Sequence, residues 1–354
     1  MGERTCPRRL PLRCLMLGLW MLEMQTGWAA DPAAKTSLED YLKRLGYEPV
    51  APRNFDLPQR PSLAEAARQN QIFVRGELGS GSRLTFLVDT GCGMTRLDPK
   101  SARGLKTLGE LGVVLEDSLL GKITNSSIVL MDKVKLGRAE FLNQPARAQK
   151  LEMDYVATPH DAVLGCDFFC RNFCLLDCRA RRLYVRAAKP SEEEASALEQ
   201  SLLRSGFVEV PIQWKGWMAV DAEVNHQRVS LGIDTGAQFS VLDNSQIKRL
   251  SLTPIKHDGP PTGTLIAPDW KGRLIGIGKI GAHEFKIASL KTLQIGSRKW
   301  EGIHFTTANL NDWGIAKPGA AGEELQGLLG AEMLAGNGAL VDFGNRKLWL
   351  GAEK

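Results

Sequence analysis

Asp-Thr-Gly occurs twice in this chain, each time at the end of an apolar run: Leu84-Thr85-Phe86-Leu87-Val88-Asp89-Thr90-Gly91 and Val229-Ser230-Leu231-Gly232-Ile233-Asp234-Thr235-Gly236. Such runs read as buried strands. A carboxylate straight after one is costly unless the fold has a use for it. Two such sites point to two carboxylates brought face to face, the arrangement needed to activate water against a peptide bond. One Asp-Thr-Gly would arise by accident in about one chain in fifteen of this length. Two in matched surroundings call for another explanation than a pair of unrelated turns.

The surroundings match well beyond the tripeptide. Cys92-Gly93-Met94-Thr95-Arg96-Leu97-Asp98 follows the first copy and Ala237-Gln238-Phe239-Ser240-Val241-Leu242-Asp243 the second. Both read small, variable, large apolar, hydroxyl, variable, Leu, Asp. Val134-Lys135-Leu136-Gly137 then corresponds to Leu293-Gln294-Ile295-Gly296, and Leu164-Gly165 to Leu329-Gly330. From there both copies continue without a gap to Arg181-Arg182-Leu183-Tyr184-Val185 and Arg346-Lys347-Leu348-Trp349-Leu350. The spacing grows from 145 to 159 to 165 residues along these anchors. The second copy has therefore gained residues between matched strands, where loops tolerate them. The chain reads as two versions of one β-rich unit.

On these residues the sequence resembles the pepsin and retropepsin clan of aspartic proteases, most of all bacterial retropepsin-like proteins with two tandem lobes. The resemblance rests on the two Asp-Thr-Gly strings and on the later steps Val163-Leu164-Gly165 and Leu328-Leu329-Gly330. It covers about residues 72–186 and 207–352. It implies an all-β fold: two six-stranded, β-barrel-like lobes related by a pseudo-twofold, with a cleft between them. It also implies an aspartic-type endopeptidase in which Asp89 and Asp234 share one proton across a bound water. Thr90 and Thr235 would hydrogen-bond across the lobe junction. Gly91 and Gly236 would leave room for the backbone to approach the carboxylates. Gly165 and Gly330 would let the crossing strand pass close beneath.

Several positions depart from the family. Cys92 and Ala237 stand where pepsins carry a hydroxyl that stabilises the ionised Asp, so the carboxylate pKa should rise and the activity optimum move toward neutral. Cys166 and Ala331 stand where retroviral enzymes carry Arg, which bears on the dimer contact more than on the chemistry. Flaps are expected over about residues 111–130, with Gly121, and 258–281, with Trp270. Whether Trp270 covers a substrate side chain or only packs a loop is open.

Residues 1–30 read as a secretory signal: Arg4, Arg8, Arg9 and Arg13 precede an apolar run over residues 14–22, and Gly27-Trp28-Ala29 offers small residues for cleavage. The run is too short to span a bilayer. Export to a periplasmic or secreted location follows, with an N-terminal membrane anchor as the alternative and no stable membrane insertion after cleavage. Residues 31–70 form a lead that is a propeptide, a strap or a spacer, with a short helix over 37–45. The first lobe is expected over 71–188, a helical linker with a Ser191–Glu194 capping box over 189–206, and the second lobe over 207–354.

The net charge is +5. Four Arg and two Glu of that balance lie in residues 1–30, which leaves about +3, too little to argue for nucleic acid. Gly276-Ile277-Gly278-Lys279-Ile280-Gly281 spells a dinucleotide fingerprint but has a strand, not a helix, after it. Cys166, Cys170, Cys174 and Cys178 match Ala331, Ala335, Ala339 and Phe343 in the second copy. They read as small apolar packing, with a disulfide among them left open and a metal site disfavoured by the spacing. Cys92 reads as a free thiol near the cleft. No cofactor and no metal are called for. The expected partner is a polypeptide or peptide substrate, and the expected state a monomer with pseudo-dimeric lobes. The alternative is a catalytically silent peptide-binding or envelope interaction protein on the same fold.

Overall fold

Residues 84–88 and 229–233 are buried at every position, on both faces of their sheets, whereas residues 139–148 mix buried and exposed positions. The computed structural model describes residues 37–52, 71–115, 123–151, 160–255, 266–268, 274–276, 279–280, 283–284, 286–313 and 325–351. The expected signal segment, most of the lead, and the flap residues Gly121 and Trp270 lie outside the described residues. Residues 1–44 form one unit and residues 45–354 another. In the first, helix α1 (Leu38–Arg44) starts at Ser37, whose hydroxyl accepts from the Asp40 N–H at 3.1 Å.

In the second unit, β1 (Glu48–Val50) precedes β2 (Ile72–Leu78) and β3 (Arg83–Val88). These two form a hairpin closed by Gly81, at φ +83°, donating to the Leu78 carbonyl. Strand β2 pairs with β3 from Ile72 opposite Val88 to Glu77 opposite Arg83. There follow β4 (Arg96–Leu97), β5 (Lys106–Leu115), β6 (Ile123–Leu136), β7 (Ala139–Ala148), β8 (Ala162–Leu164), helix α2 (Cys166–Arg171), β9 (Leu175–Asp177) and β10 (Arg182–Val185). Helix α3 (Glu192–Arg204) carries the expected capping box, with Ser191 and Glu194 satisfying each other's backbone N–H.

The second copy comprises β11 (Val208–Pro211), β12 (Gln213–Trp214), β13 (Met218–Val224), β14 (Gln227–Ile233), β15 (Val241–Asp243), helix α4 (Gln246–Arg249) and β16 (Thr253–Ile255). The short strands β17 (Ile266–Pro268), β18 (Leu274–Gly276), β19 (Lys279–Ile280) and β20 (His283–Glu284) pair off as two hairpins. Of the dinucleotide-like string, the described residues Gly276, Lys279 and Ile280 are in strands. The copy continues with β21 (Lys286–Ile295), β22 (Arg298–Ala308), β23 (Gly327–Leu329), α5 (Ala331–Gly336), β24 (Leu340–Asp342) and β25 (Lys347–Leu350).

The two copies fold alike. The first sheet has the order β2-β3-β8-β4-β7-β6-β5 and is closed by β2 pairing β6. The second has the order β13-β14-β23-β15-β22-β21-β16, extended by β12, and is closed by β13 pairing β21. Strand for strand this is one topology. The parallel pairs β3/β8 and β4/β7 recur as β14/β23 and β15/β22. Even the burial patterns of β2 and β13 are identical. The fold is therefore mostly β and two-lobed.

A third sheet, β1-β10-β9-β24-β25-β11, joins the lobes. It is symmetric about its centre, where Leu176 lies opposite Val341. Phe169 and Phe343 meet beneath it with ring centroids 4.7 Å apart. Large side chains buried like these contribute about 1.5–3 kcal/mol each. The seam thus fixes one lobe against the other, which a site shared between lobes requires.

Candidate active site

Each Asp-Thr-Gly loop leaves the end of a buried strand. The Asp89 N–H donates to the Leu164 carbonyl at 3.1 Å, and the Asp234 N–H to the Leu329 carbonyl at 3.0 Å. Both aspartates therefore begin at the same point of the same parallel strand pair, one in each lobe.

The threonines then lock the loops together. Thr90 donates its hydroxyl to the Ile233 carbonyl at 2.7 Å and accepts from the Thr235 N–H at 2.9 Å. Thr235 donates to the Val88 carbonyl at 2.9 Å and accepts from the Thr90 N–H at 3.1 Å. The two side chains are 2% and 1% exposed. In such a dry setting four reciprocal bonds define the relative position of the loops closely.

The glycines admit the opposite carboxyl. A Cβ on Gly91 would lie 2.6 Å from the Asp234 carboxyl carbon, and one on Gly236 would fall on the Asp89 carboxyl. Gly165 and Gly330 pass equally close to the loops: a Cβ on Gly165 would sit 2.7 Å from the Cys92 carbonyl oxygen, and one on Gly330 would collide with the Phe239 backbone. The eight residues Asp89, Thr90, Gly91, Asp234, Thr235, Gly236, Gly165 and Gly330 thus form one cluster.

Within it the Asp89 and Asp234 carboxyls hydrogen-bond each other. Asp89 also accepts from the Gly91 N–H at 2.8 Å, and Asp234 from the Gly236 and Ala237 N–H groups at 2.9 Å. Burial pushes both pKa values up. For Asp234, 8% exposed, the charge of Asp89 adds to the effect and the shift is large. For Asp89, which keeps partial exposure, the Gly91 N–H and the Arg96 guanidinium oppose it. With both pKa values raised, the pair holds one proton between its members over a wide range. Such a pair can take a proton from water at one oxygen and donate a hydrogen bond to a carbonyl at another.

A second layer supports the loops. Asp167 accepts from the Thr95 N–H at 2.7 Å and its hydroxyl at 2.8 Å, and Thr95 in turn accepts from the Gly165 N–H. In the other lobe Glu332 accepts from the Ser240 N–H at 2.7 Å, and the Ser240 hydroxyl accepts from the Gly330 N–H at 2.9 Å. Burial raises the Glu332 pKa to about 7. Gln71, 1% exposed, reaches across to donate to the Gly236 carbonyl at 2.8 Å. Sequence reasoning missed these supports. Asp167 and Glu332 had a signal, since each stands two residues after its matched glycine. Gln71 had none.

The five described cysteines are free thiols. Cys166, Cys174 and Cys178 sit in the core and Cys170 packs against it, as the match to Ala and Phe suggested. Cys92 is free but buried in an apolar cluster with Phe73, Leu87, Leu151 and Val163; its thiol donates to the Met94 carbonyl, and burial pushes its pKa up to about 12. It is therefore a neutral packing group.

No family model matches the chain, and neither does any curated protein. Among solved structures the chain is similar to the aspartic proteinase from Irpex lacteus, with a TM-score of 0.48, 13% sequence identity, and 87% of this chain and 98% of that chain covered.

Proposed function

We propose that this protein is an aspartic endopeptidase that hydrolyses peptide bonds with a water held between Asp89 and Asp234. The single observation behind this reading is the hydrogen-bonded contact of the two carboxyls across the lobe junction. One carboxylate alone would be an unexplained burial cost. Two that share a proton hold an acid and a base in one place. The ionised member takes the proton from water, and the protonated member hydrogen-bonds the scissile carbonyl oxygen. A tetrahedral diol forms, and its collapse, with the proton passed to the leaving amine, releases both products without a covalent enzyme intermediate.

The substrate class is a polypeptide in extended form, laid across the cleft between the lobes. The retropepsin-like subtype, export from the cytoplasm and a monomeric state belong to the same proposal. The first rests on the size and tandem arrangement of the two units, the second on the arginine-led apolar run before position 30, and the third on both aspartates being in one chain.

Incubation of the protein with an unfolded polypeptide tests the reading. Cleavage is expected for the wild type and its loss, by at least about a hundredfold, in both Asp89→Asn and Asp234→Asn. Peptide binding without cleavage in the wild type would instead mark a silent peptide-binding module.

A further inference from the structure

The segment before the first lobe repeats the segment before the second. Leu38-Glu39-Asp40-Tyr41-Leu42-Lys43-Arg44-Leu45-Gly46 and Leu198-Glu199-Gln200-Ser201-Leu202-Leu203-Arg204-Ser205-Gly206 share Leu, Glu, Leu, Arg and Gly at the same places. Both stretches are helical up to the Arg, in α1 and α3. Both glycines are left-handed, at φ +77° and +80°. The copies are 160 residues apart here, against 145 at Asp-Thr-Gly, so a search at one fixed period passes over the match.

The strands that follow are equivalent too. Glu48 and Val50 of β1 lie opposite Val185 and Leu183 of β10; Val208 and Val210 of β11 lie opposite Leu350 and Leu348 of β25. Strands β10 and β25 are themselves a matched pair, and the register is the same. A Cβ on Gly137 would lie 3.6 Å from the Pro49 carbonyl oxygen, and one on its counterpart Gly296 would lie 3.5 Å from the Glu209 carbonyl oxygen. Strands β1 and β11 are thus the two outer strands of the sheet that joins the lobes. Pro49 suits that place, because an outer strand needs its N–H groups on one side only.

Strand β1 is also firmly anchored. Tyr47 and Val50 are 3% and 2% exposed, and the Arg186 guanidinium lies over the Tyr47 ring, 5.2 Å from its centroid. Glu48 accepts two bonds from Arg138, at 2.9 and 3.0 Å, and Pro52 bridges to Val74 on β2. Removing the segment would empty the Tyr47 and Val50 sites and bare the edge of β10. A segment made to be shed needs no counterpart in the second lobe. This one has a counterpart in register, and that counterpart is interior to the chain and cannot leave.

We propose that residues 46–52 are the first strand of the first lobe and stay in the working enzyme, so that no prosegment reaching past Gly46 is removed to switch it on. Activity is complete once the chain has folded, and any processing stops before Tyr47. The statement about activity rests on the hydrolase reading; the statement about the strand does not.

The first test is the N-terminal residue of the protein purified in active form from the producing cells, read by mass spectrometry. It is expected before Tyr47. A chain starting at Ser37 should melt and cut as the full-length protein does, whereas one starting at Arg53 should melt about 10 °C lower or fail to fold. A prosegment that only assists folding would give the same loss. A specific protease site is therefore placed between Pro52 and Arg53 and cut after folding. The fragment should then co-elute with the rest in gel filtration and leave the melting temperature and the rate on an unfolded polypeptide unchanged. A fragment that dissociates and takes the melting temperature down with it supports the proposal equally. Dissociation with the melting temperature kept overturns it, and so does a rate that rises after the cut. An Arg53 chain that melts like the full-length protein, or an active enzyme that begins at or beyond Tyr47, overturns it as well. A protein that holds the fragment but never cuts keeps the strand and loses the hydrolase reading. One that cuts only after the fragment has gone does the reverse.

Discussion

The first lobe carries Cys92, Arg96, Arg147 and Asp167 where the second carries Ala237, Val241, Thr306 and Glu332. Strand order, closing pair, threonine bonds and glycine contacts are the same in both. The lobes thus agree wherever backbone meets backbone and differ wherever a side chain sets the local field. The shared geometry brings the two carboxyls together. The difference gives the two unequal surroundings: the Arg96 guanidinium opposes the rise of the Asp89 pKa, while the charge of Asp89 adds to the rise that burial gives Asp234.

The largest effects should fall on the symmetric part and be equal in both lobes. Gly91→Ala and Gly236→Ala each force a Cβ against the opposite carboxyl. Either should lower kcat/KM by at least about a hundredfold, the usual result of displacing a reacting group by an ångström. A large loss in one variant and not the other would break the pseudo-symmetry.

Next come the threonines. Thr90→Val removes one donor and strands the Thr235 N–H; Thr235→Val does the converse. Urea unfolding should show a loss of about 2–4 kcal/mol for each, with the double variant losing less than the sum because the four bonds act as one unit. Strict additivity would mean that the loops are held separately.

A smaller effect separates the lobes. The Glu332 carboxyl is raised to about 7 in the folded protein, against about 4.3 for an unperturbed Glu. A raised carboxyl binds its proton more tightly when folded, so its stabilisation is complete below the unfolded value and lost as pH rises through about 7. Glu332→Gln keeps the acceptor for Ser240 and cannot ionise. It should match the wild type near pH 4 and be the more stable protein at pH 8. Thermal melts of both across that range give the test, and parallel curves would remove the assignment. The smallest effect is expected from Gln71→Leu, which deletes one bond to the Gly236 carbonyl and should cost about 1 kcal/mol.

Much of this was legible in the sequence because it was written locally and written twice. The Asp-Thr-Gly strings, the hydroxyls Thr95 and Ser240, and the glycines Gly165 and Gly330 recur at matched places, so each copy vouched for the other. Ser191 and Glu194 are three residues apart, and their mutual bonds follow from helix geometry alone. What could not be read depends on register between distant strands. Gln71 meets Gly236 across 165 residues. Arg96 and Arg147 become neighbours only because β4 and β7 run parallel in one register, and a slip of one residue would turn either to the other face. The asymmetry of the site was hidden for the same reason. It resides in charges whose targets are set by the tertiary fold.

The claim that one proton is shared between the lobes is tested most directly by kcat/KM against pH on an unfolded polypeptide. The account predicts a bell: the acid limb marks loss of the ionised member, and the alkaline limb loss of the proton the pair shares. Because burial raises both groups, the maximum should lie above the ordinary aspartate value of about 3.9. A rate that climbs steadily with pH and shows no alkaline limb, or a maximum below about pH 3, would contradict it.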